Sequence, residues 1–453
     1  MAAEQPITLP ITTVQVDFQQ IIDDVTSGLI PEDKFWLSYY KTGEQSVHGK
    51  VHLALNERDR NLVDYQGTDG VEFGQGLEKK YSASCASLGV SHTNLAVASN
   101  SYADFIPRTQ STSYRAISAF DIAPDGSQFA VGYGDGSVYT IPISGPSATA
   151  ATISRAHLSA VTSVQFFPSS RVLLTAGVDF ALSIISAELA AAREKIDGPT
   201  RITPARTLKG HSRTVTSTAI ISRGRNILSA SKDGSIRLWD VSSGSQIRMM
   251  GATKATGILC MSLGEKGASS FTTSPDGEAM QLSLAVDDRE VETTDKVTFC
   301  GLADGSFEVF DLGTKLPVFH SASAGPSSIS GLQSIAYSPQ HNLVATGSGK
   351  GVIHIFDTRS LNSPIVSFTR NSASIEDLAF VTLERGTTVG LAIGTEDGLP
   401  YVAEVRPEGP SVRSELIGTD CDAIRRIRVL SGTGDVWTAG DDGVVRRYMG
   451  STL

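Results

Sequence analysis

The sequence predicts an all-β protein: a seven-bladed β-propeller with a small appended N-terminal domain. A pattern of strand, tight turn and strand recurs seven times, and most successive turns lie 44 to 47 residues apart, close to the length of one propeller blade. The two longer intervals, of 54 and 71 residues, contain insertions at 186–206 and 264–296. Sheets of this kind cannot bury both faces alone and become stable when they stack in a ring. The turn positions are Asp135, Asp179, Asp233, Asp304, Lys350, Asp397 and Asp442.

The clearest copy of the pattern lies at 209–240 and reads KGHSRTVTSTAIISRGRNILSASKDGSIRLWD. Gly210-His211 opens it and Trp239-Asp240 closes it. Between them, Asp233-Gly234 suits a two-residue hairpin turn, because that turn requires positive φ angles. The spacing of these residues strongly resembles the signature of a WD repeat.

The resemblance implies a buried hydrogen-bonded chain inside this blade. Its members would be His211, Ser229 (or Ser231), Asp233 and Trp239. Such a chain satisfies polar groups that the blade removes from water. A His–Ser–Asp trio is also compatible with a hydrolase, but the repeat spacing favours the structural role.

The other copies depart from the signature. Ala156-His157 replaces Gly-His, Asp179 is not followed by glycine, Lys350 replaces the turn aspartate, and Phe310-Asp311 replaces Trp-Asp. The glycine-rich stretch 347–351 superficially resembles a phosphate-binding loop. It lacks the P-loop spacing and leads into no helix, so we interpret it as a hairpin turn.

The two ends of the chain are expected to complete the ring. The last repeat stops after its third strand, and the best candidate for its outer strand lies within 94–107. Residues 1–92 have no clean repeat and are predicted to form a small N-terminal domain, while 93–453 form the propeller. The aromatic residues of this domain, Phe35, Trp36, Tyr39 and Tyr40, are expected to pack it on the propeller. An eighth blade around Asp69-Gly70 is an alternative.

Composition narrows the classes of function. The formal net charge is −10, with 48 acidic and 38 basic residues, which disfavours a sequence-independent nucleic-acid binder. No apolar run approaches the length needed to cross a bilayer, and the N-terminal sequence lacks the features of a signal peptide. The histidines and cysteines show no metal-ligand spacing. We therefore expect a protein of the cytoplasm and nucleus with no metal, cofactor, membrane or nucleic acid.

Three segments are more distinctive than the repeat signature: AHLSAVTSVQFFPSSRVLLTAGVD (156–179), TAIISRGRNILSASKDGSIRLWD (218–240) and IGTDCDAIRRIRVLSGTGDVWTAGDDGVVRRYMG (417–450). They resemble one family of WD-repeat proteins, the proteasomal ATPase-associated factor family. A generic repeat fold constrains loops and terminal repeats poorly. Resemblance in those places therefore discriminates between families better than the blade consensus does.

The resemblance implies a non-catalytic assembly chaperone. Members of this family bind the C-terminal helical domain of one AAA-ATPase subunit in the base of the proteasome regulatory particle. They hold that subunit during assembly, delay docking onto the proteolytic core and leave the finished particle. The resemblance implies no nucleotide or metal, and we expect the isolated chain to be a monomer.

The partner is expected on the face that carries the hairpin turns, near the last two blades. Six acidic residues are predicted to gather there, and like charges crowded together favour a cationic partner. Four basic residues nearby could orient that partner. A solvated charged rim without a partner is the alternative. The acidic residues are Glu376, Asp377, Glu396, Asp420, Asp422 and Asp441, and the basic residues are Arg213, Lys232, Arg425 and Arg426.

Two other functions remain open at this point. A WD-repeat scaffold or substrate receptor, in a ubiquitin ligase or a chromatin complex, would also suit an acidic surface. An enzyme built on a propeller is the third possibility, but no convergent catalytic carboxylates or metal cluster supports it.

Overall fold

The protein is described here by a computed structural model. It describes residues 5–56, 59, 62–76, 79–103, 115–144, 151–189, 199–267, 287–322, 330–383, 388–406 and 408–453. The middle of each predicted insertion, at 190–198 and 268–286, lies outside the described residues, as do residues 104–107 of the range expected to hold the closing strand.

The described residues of the N-terminal part of the chain include one α-helix and nine strands of two to nine residues. Its elements are β1 (Ile7–Thr8), β2 (Ile11–Val14), α1 (Phe18–Thr26), β3 (Glu32–Tyr40), β4 (Val47–Leu55), β5 (Val63–Gly67), β6 (Glu72–Gln75), β7 (Tyr81–Cys85), a 3-10 helix (Ala86–Leu88), β8 (Val90–Val97) and β9 (Asn100–Tyr102). Strands β2 to β5 form an antiparallel sheet. Phe18, Ile21, Ile22 and Val25 are buried because their spacing places them on one side of α1, which packs on β3 and β4.

Seven antiparallel units of four strands account for most of the described residues that follow. Sheet 1 contains β10 (Ile117–Ile122), β11 (Gln128–Tyr133), β12 (Ser137–Pro142) and β13 (Thr152–Arg155), and β17 (Thr200–Arg201) adds to its edge. Sheet 2 contains β14 (Val161–Phe166), β15 (Val172–Gly177), β16 (Ala181–Ser186) and β18 (Arg206–Lys209). Sheet 3 contains β19 (Val215–Ile221), β20 (Asn226–Ser231), β21 (Ser235–Asp240) and β22 (Ser245–Gly251).

Sheet 4, preceded by a 3-10 helix (Thr253–Ala255), contains β23 (Ile258–Glu265), β24 (Lys296–Leu302), β25 (Phe307–Asp311) and β26 (Leu316–His320). Sheet 5 contains β27 (Leu332–Ser338), β28 (Leu343–Ser348), β29 (Val352–Asp357) and β30 (Val366–Thr369). Sheet 6 contains β31 (Ile375–Leu383), β32 (Thr388–Thr395), β33 (Tyr401–Glu404) and β34 (Ser411–Ile417). Sheet 7 contains β35 (Ile424–Val429), β36 (Val436–Gly440), β37 (Val445–Tyr448) and β9, and a 3-10 helix (Gly450–Thr452) follows it.

The first strands of the seven sheets lie next to one another in chain order, and β35 of sheet 7 also contacts β10 of sheet 1. Residues of all seven first strands line one cavity of about 600 Å³. Each first strand has a register shift just after its first residue, where a bulge bends the strand. The hydrophobic core lies between neighbouring sheets, as where Trp437 of sheet 7 packs with Phe129 of sheet 1.

The outer strand of sheet 7 is β9, within the range in which the sequence analysis expects a closing strand. Tyr102 lies opposite Val445, and Asn100 lies opposite Arg447. The ring of Tyr102 stacks on Trp437 with centroids 5.7 Å apart. A strand from the N-terminal part of the chain therefore completes the last sheet.

The N-terminal part also joins sheets 5 and 6. Strand β8 pairs in parallel with β34 of sheet 6, and β1 pairs in parallel with β30 of sheet 5. The predicted boundary after residue 92 falls inside β8, which pairs with both β7 and β34. Arg370 strengthens this junction, since it donates to the carbonyl of Pro10 and to Glu415 in a buried ion pair.

The aromatic residues of this region were expected to hold it against the propeller, and the structure corrects that expectation. Phe35 and Tyr39 are buried in the region's own core, while Trp36 and Tyr40 are exposed. Backbone pairing makes the junction because β1 and β8 each satisfy an otherwise open sheet edge.

Candidate protein-binding face

The upper face is the side of the sheets that carries two kinds of connection: the turns between second and third strands, and the loops that enter the first strands. In sheet 3, one hydrogen-bonded chain lies just below it. His211 Nδ1 is 2.9 Å from Asp233 Oδ2, and Nε2 is 2.8 Å from Ser229 Oγ. The indole of Trp239 donates to Ser229 Oγ at 2.9 Å. Of the two serines considered, the chain uses Ser229, while Ser231 donates to the carbonyl of Arg213.

The direction of each proton in this chain follows from the groups at its ends. An ionised carboxylate only accepts, so Nδ1 of His211 donates to Asp233 and Nε2 accepts from the Ser229 hydroxyl. Burial of Asp233 opposes its ionisation, but hydrogen bonds from Ser235, Ser212 and His211 outweigh burial and lower the pKa of Asp233 to about 2. Burial lowers the pKa of His211, although Asp233 opposes this shift.

The same geometry bears on the hydrolase alternative. Ser229 is completely buried, and its oxygen already accepts from Trp239 while its proton goes to His211. A nucleophilic serine needs both a base and access to substrate. Ser229 is bonded to a base, His211, but substrate cannot reach it. The trio of His211, Ser229 and Asp233 therefore stabilises the fold.

Sheet 2 contains a second chain of the same kind, which the sequence analysis did not assign. His157 Nδ1 is 2.9 Å from Asp179 Oδ1, and Nε2 is 2.9 Å from Thr175 Oγ1. The interval from His157 to Thr175 equals that from His211 to Ser229, which is the signal that could have identified Thr175. Ile185 takes the register position of Trp239, so no indole extends this chain.

The turns of the seven sheets share one backbone conformation. The residue after the turn position is glycine in six sheets, with φ between 73° and 84°, and Phe180 in sheet 2, with φ of 67°. The six glycines are Gly136, Gly234, Gly305, Gly351, Gly398 and Gly443. Only glycine adopts this conformation without a steric penalty. Phe180 is thus strained, and it is also exposed.

The predicted acidic rim falls into two parts. Glu396, Asp420 and Asp422 are exposed on sheet 6 and on the loop that enters sheet 7. A Cβ on Gly398 would lie 2.6 Å from the carbonyl of Asp422, so the turn and the loop touch. No ion pair involves the three carboxylates within the described part of the chain. We name Glu396, Asp420 and Asp422 the acidic cluster.

The other members of the rim are neutralised within the chain, which corrects the expectation of six crowded charges. Arg425 lies between two of them, with Nη1 3.0 Å from Glu376 Oε2 and Nη2 2.7 Å from Asp441 Oδ2. Asp377 lines the central cavity and pairs with Arg428 at 2.6 Å. Two internal cations, Arg425 and Arg428, therefore already relieve part of the repulsion that was expected to require a partner.

The basic residues also need correction. Arg425 serves the ion pairs just described, and Arg426 lines the central cavity and donates to the carbonyl of Thr162 at 2.9 Å. Arg213 and Lys232 are exposed on sheet 3. Two sheets separate sheet 3 from the sheets of the acidic rim on either side. Arg213 and Lys232 therefore cannot orient a partner bound only to sheets 6 and 7.

Sequence reasoning missed a charged network in the cavity. Arg428 of sheet 7 lies between Asp377 of sheet 6 and Asp121 of sheet 1, the latter at 3.4 Å. Burial raises the pKa of Asp121, although Arg428 opposes this shift. The signal in the sequence is the alternation of apolar and basic residues in β35, which sends Arg426 and Arg428 to the same side of the strand.

The described residues contain no group of three or more His, Cys, Asp or Glu side chains able to hold a metal ion. Over the same residues, no helix has both the length and the apolar character required to span a bilayer.

The comparison with known protein families finds matches at the repeats. The model of the WD domain, G-beta repeat, matches residues 150–186, 202–240 and 322–357. These stretches carry the hairpins of sheets 2, 3 and 5. The chain therefore carries WD repeats. Such repeats indicate a protein-interaction scaffold, and proteins built from them are generally non-catalytic. Among curated proteins, no match to this chain is found.

Proposed function

We propose that the seven sheets close into a seven-bladed propeller. Contact between β35 and β10 supports closure, as does the cavity lined by all seven first strands. Gly443 in the turn of sheet 7 lies beside Arg115, just before sheet 1, since a Cβ there would be 2.9 Å from the Arg115 carbonyl. Closure leaves neither end sheet with an exposed apolar face.

We propose that this propeller is a non-catalytic assembly chaperone of the cytoplasm and nucleus. Its partner would be the C-terminal helical domain of an AAA-ATPase subunit from the base of the proteasome regulatory particle. The resemblance at 156–179, 218–240 and 417–450 supports this proposal. The structural observation that carries it is the acidic cluster, whose three carboxylates are exposed and unpaired among the described residues.

The acidic cluster is suited to guide a basic surface into place. Charges at the rim of an interface act mainly on the rate of association, because they attract the partner before contact. Glu376 and Asp441 contribute less than the cluster, since Arg425 balances them. The expected contact is therefore centred on the turn of sheet 6 and the loop that enters sheet 7.

The test is a triple charge reversal, Glu396→Lys, Asp420→Lys and Asp422→Lys. We expect the rate of association with a separately purified ATPase C-terminal domain to fall about tenfold at low salt, with a weaker salt dependence. The control is Glu32→Lys, Glu188→Lys and Asp288→Lys, which makes the same change in net charge at exposed positions elsewhere. Equal rates for the two variants would refute the role of the acidic cluster.

A scaffold or substrate receptor is the second candidate, favoured by the same carboxylates because histone tails are also basic. Pull-down of the full chain from cell extract separates the two. Recovery of free base ATPase subunits without the proteolytic core supports the chaperone. Recovery of histones or cullin-type ligases in their place would support the scaffold.

A further inference from the structure

A second surface on the upper face differs from the acidic cluster in chemistry. In sheet 2, Leu158 is 95% exposed and Phe180 is 42% exposed. The backbone N–H of Leu158 donates to Asp179 Oδ2 at 3.0 Å, and Phe180 follows Asp179 in the chain. Asp179 therefore connects the backbone positions of two large apolar residues that are both exposed to water.

The conformation of Phe180 makes this exposure more informative. Its φ of 67° is the one that glycine adopts in the other six turns, and a side chain there strains the backbone. Sheet 3 shows the alternative, because Ser212 and Gly234 occupy the positions of Leu158 and Phe180 around an aspartate with the same bonds. Neither folding nor solubility explains the two apolar residues of sheet 2.

Basic residues flank this apolar pair on both sides. On sheet 1, Arg155 is 78% exposed and lies 3.9 Å from Asp135. On sheet 3, Arg213 and Lys232 are exposed, and neither forms an ion pair within the described ranges. Five of the glycine turns lie against the loop entering the next sheet, as Gly136 does at His157. Because Phe180 occupies the same position in the turn of sheet 2, we expect it beside the loop that carries Arg213.

We propose that Leu158 and Phe180, with Arg155, Arg213 and Lys232, form a docking surface for an extended peptide segment. That segment carries a large apolar side chain flanked by carboxylates. The apolar side chain covers Leu158 and Phe180 and removes their surface from water, while the carboxylates pair with the three basic residues. An acidic partner segment is the opposite of what the acidic cluster attracts, so this surface is independent of the proposed chaperone contact.

Random peptides displayed on phage, selected on the full chain, test the surface. We expect enrichment of sequences in which Leu, Ile, Phe or Trp is flanked by Asp or Glu. The counter-selection uses Leu158→Ser with Phe180→Gly, which should remove that enrichment. Phe180→Gly relieves backbone strain, so we expect the double variant to remain folded, and thermal unfolding of this variant checks that a loss of binding does not come from unfolding. No enrichment over the double variant, or enrichment of basic peptides, would overturn the proposal.

Titration of a selected peptide against further variants assigns the contributions. Phe180→Gly should weaken binding about tenfold or more, and Arg213→Glu with Lys232→Glu should weaken it and reduce its salt dependence. The matched control is Leu316→Ser, an exposed leucine on the outer strand of sheet 4, which should bind as the unmodified chain does. Charge reversal of the acidic cluster should also leave peptide binding unchanged, which separates this result from the chaperone test.

Self-association is the remaining outcome. If the chain sediments as a dimer and Phe180→Gly converts it to a monomer, a second copy covers the apolar pair and the peptide proposal is wrong. We expect the same sedimentation coefficient for both proteins at all concentrations tested.

Discussion

Sheets 2 and 3 share one hydrogen-bonding plan and show different surfaces. In each, a buried histidine joins a turn aspartate to a hydroxyl on the second strand, at distances of 2.8 to 2.9 Å. The aspartate in each also accepts the N–H of the residue after the histidine at 3.0 Å. The plan therefore does not depend on what the neighbouring side chains present to water.

The two sheets differ at both ends of the hydrogen-bonded chain. Below it, Trp239 extends the chain in sheet 3, whereas Ile185 ends it in sheet 2. Above it, sheet 3 presents Ser212 with the turn glycine, whereas sheet 2 presents Leu158 with Phe180. The comparison teaches that the buried polar chain builds the blade, and that the two positions beside the aspartate are free to specify a partner.

Removal of the shared histidine should have the largest effect and should be alike in both sheets. His211→Ala and His157→Ala each leave a buried hydroxyl and a carboxylate without their common partner, at a cost of about 2–3 kcal/mol. Urea unfolding measures this loss, with His92→Ala as an exposed control. A loss of stability for only one of the two histidine variants would show that the two hydrogen-bonded chains do not contribute alike.

Removal of the indole should affect sheet 3 alone. Trp239→Phe deletes the N–H bond to Ser229 while keeping most of the buried ring, and we expect a loss of about 1–2 kcal/mol. Trp36→Phe, at an exposed tryptophan, should change the free energy of unfolding by less than about 0.5 kcal/mol. A similar loss for both variants would mean that the Trp239 hydrogen bond adds nothing.

Exchange of the turn residues should have opposite signs in the two sheets. Phe180→Gly removes the strain at positive φ and should stabilise the fold by about 1 kcal/mol. Gly234→Ala should destabilise it, because φ is 78° and a Cβ would lie 2.8 Å from the backbone of Ala255. Thermal unfolding of the two variants checks both signs, and destabilisation by Phe180→Gly would show that the ring is needed for packing.

The dependence on pH should be the smallest effect and common to both sheets. Burial lowers the pKa of His157 and His211, so the unfolded chain binds more protons than the folded chain below pH 6.5. The stability that each histidine contributes is present above its unfolded pKa of about 6.5 and decreases as the pH falls below that value. Asp233, whose pKa is lowered to about 2, adds a further loss only between about pH 4 and 2.

Urea unfolding at a series of pH values measures this dependence. The variant His157→Ala with His211→Ala should lose most of the slope between pH 7 and 6, while His92→Ala should keep it. A slope that survives in the double variant would have to come from other groups, such as His354, whose pKa burial also lowers.

The sequence by itself determined the contacts within each hairpin. The members of the His211 chain lie within one repeat, where strand length and turn type set the spacing, so the resemblance to the repeat signature was enough to place Asp233 and Trp239 and to limit the hydroxyl to Ser229 or Ser231. The turn positions followed for the same reason. Thr175 was missed because its repeat lacks the tryptophan and the turn glycine, although its interval from His157 equals the interval from His211 to Ser229.

The tertiary structure alone decided which charges remain free. Arg425 of sheet 7 neutralises Glu376 of the neighbouring sheet 6. Arg428 joins Asp377 to Asp121, and these two aspartates lie more than 250 residues apart in the chain. Parallel pairing of β8 with β34 likewise joins distant segments. Repeat spacing predicts contacts inside a sheet, whereas contacts between sheets depend on how the stack brings distant side chains together. A pattern within one segment of the sequence does not show which side chains of other sheets will lie within contact distance of it.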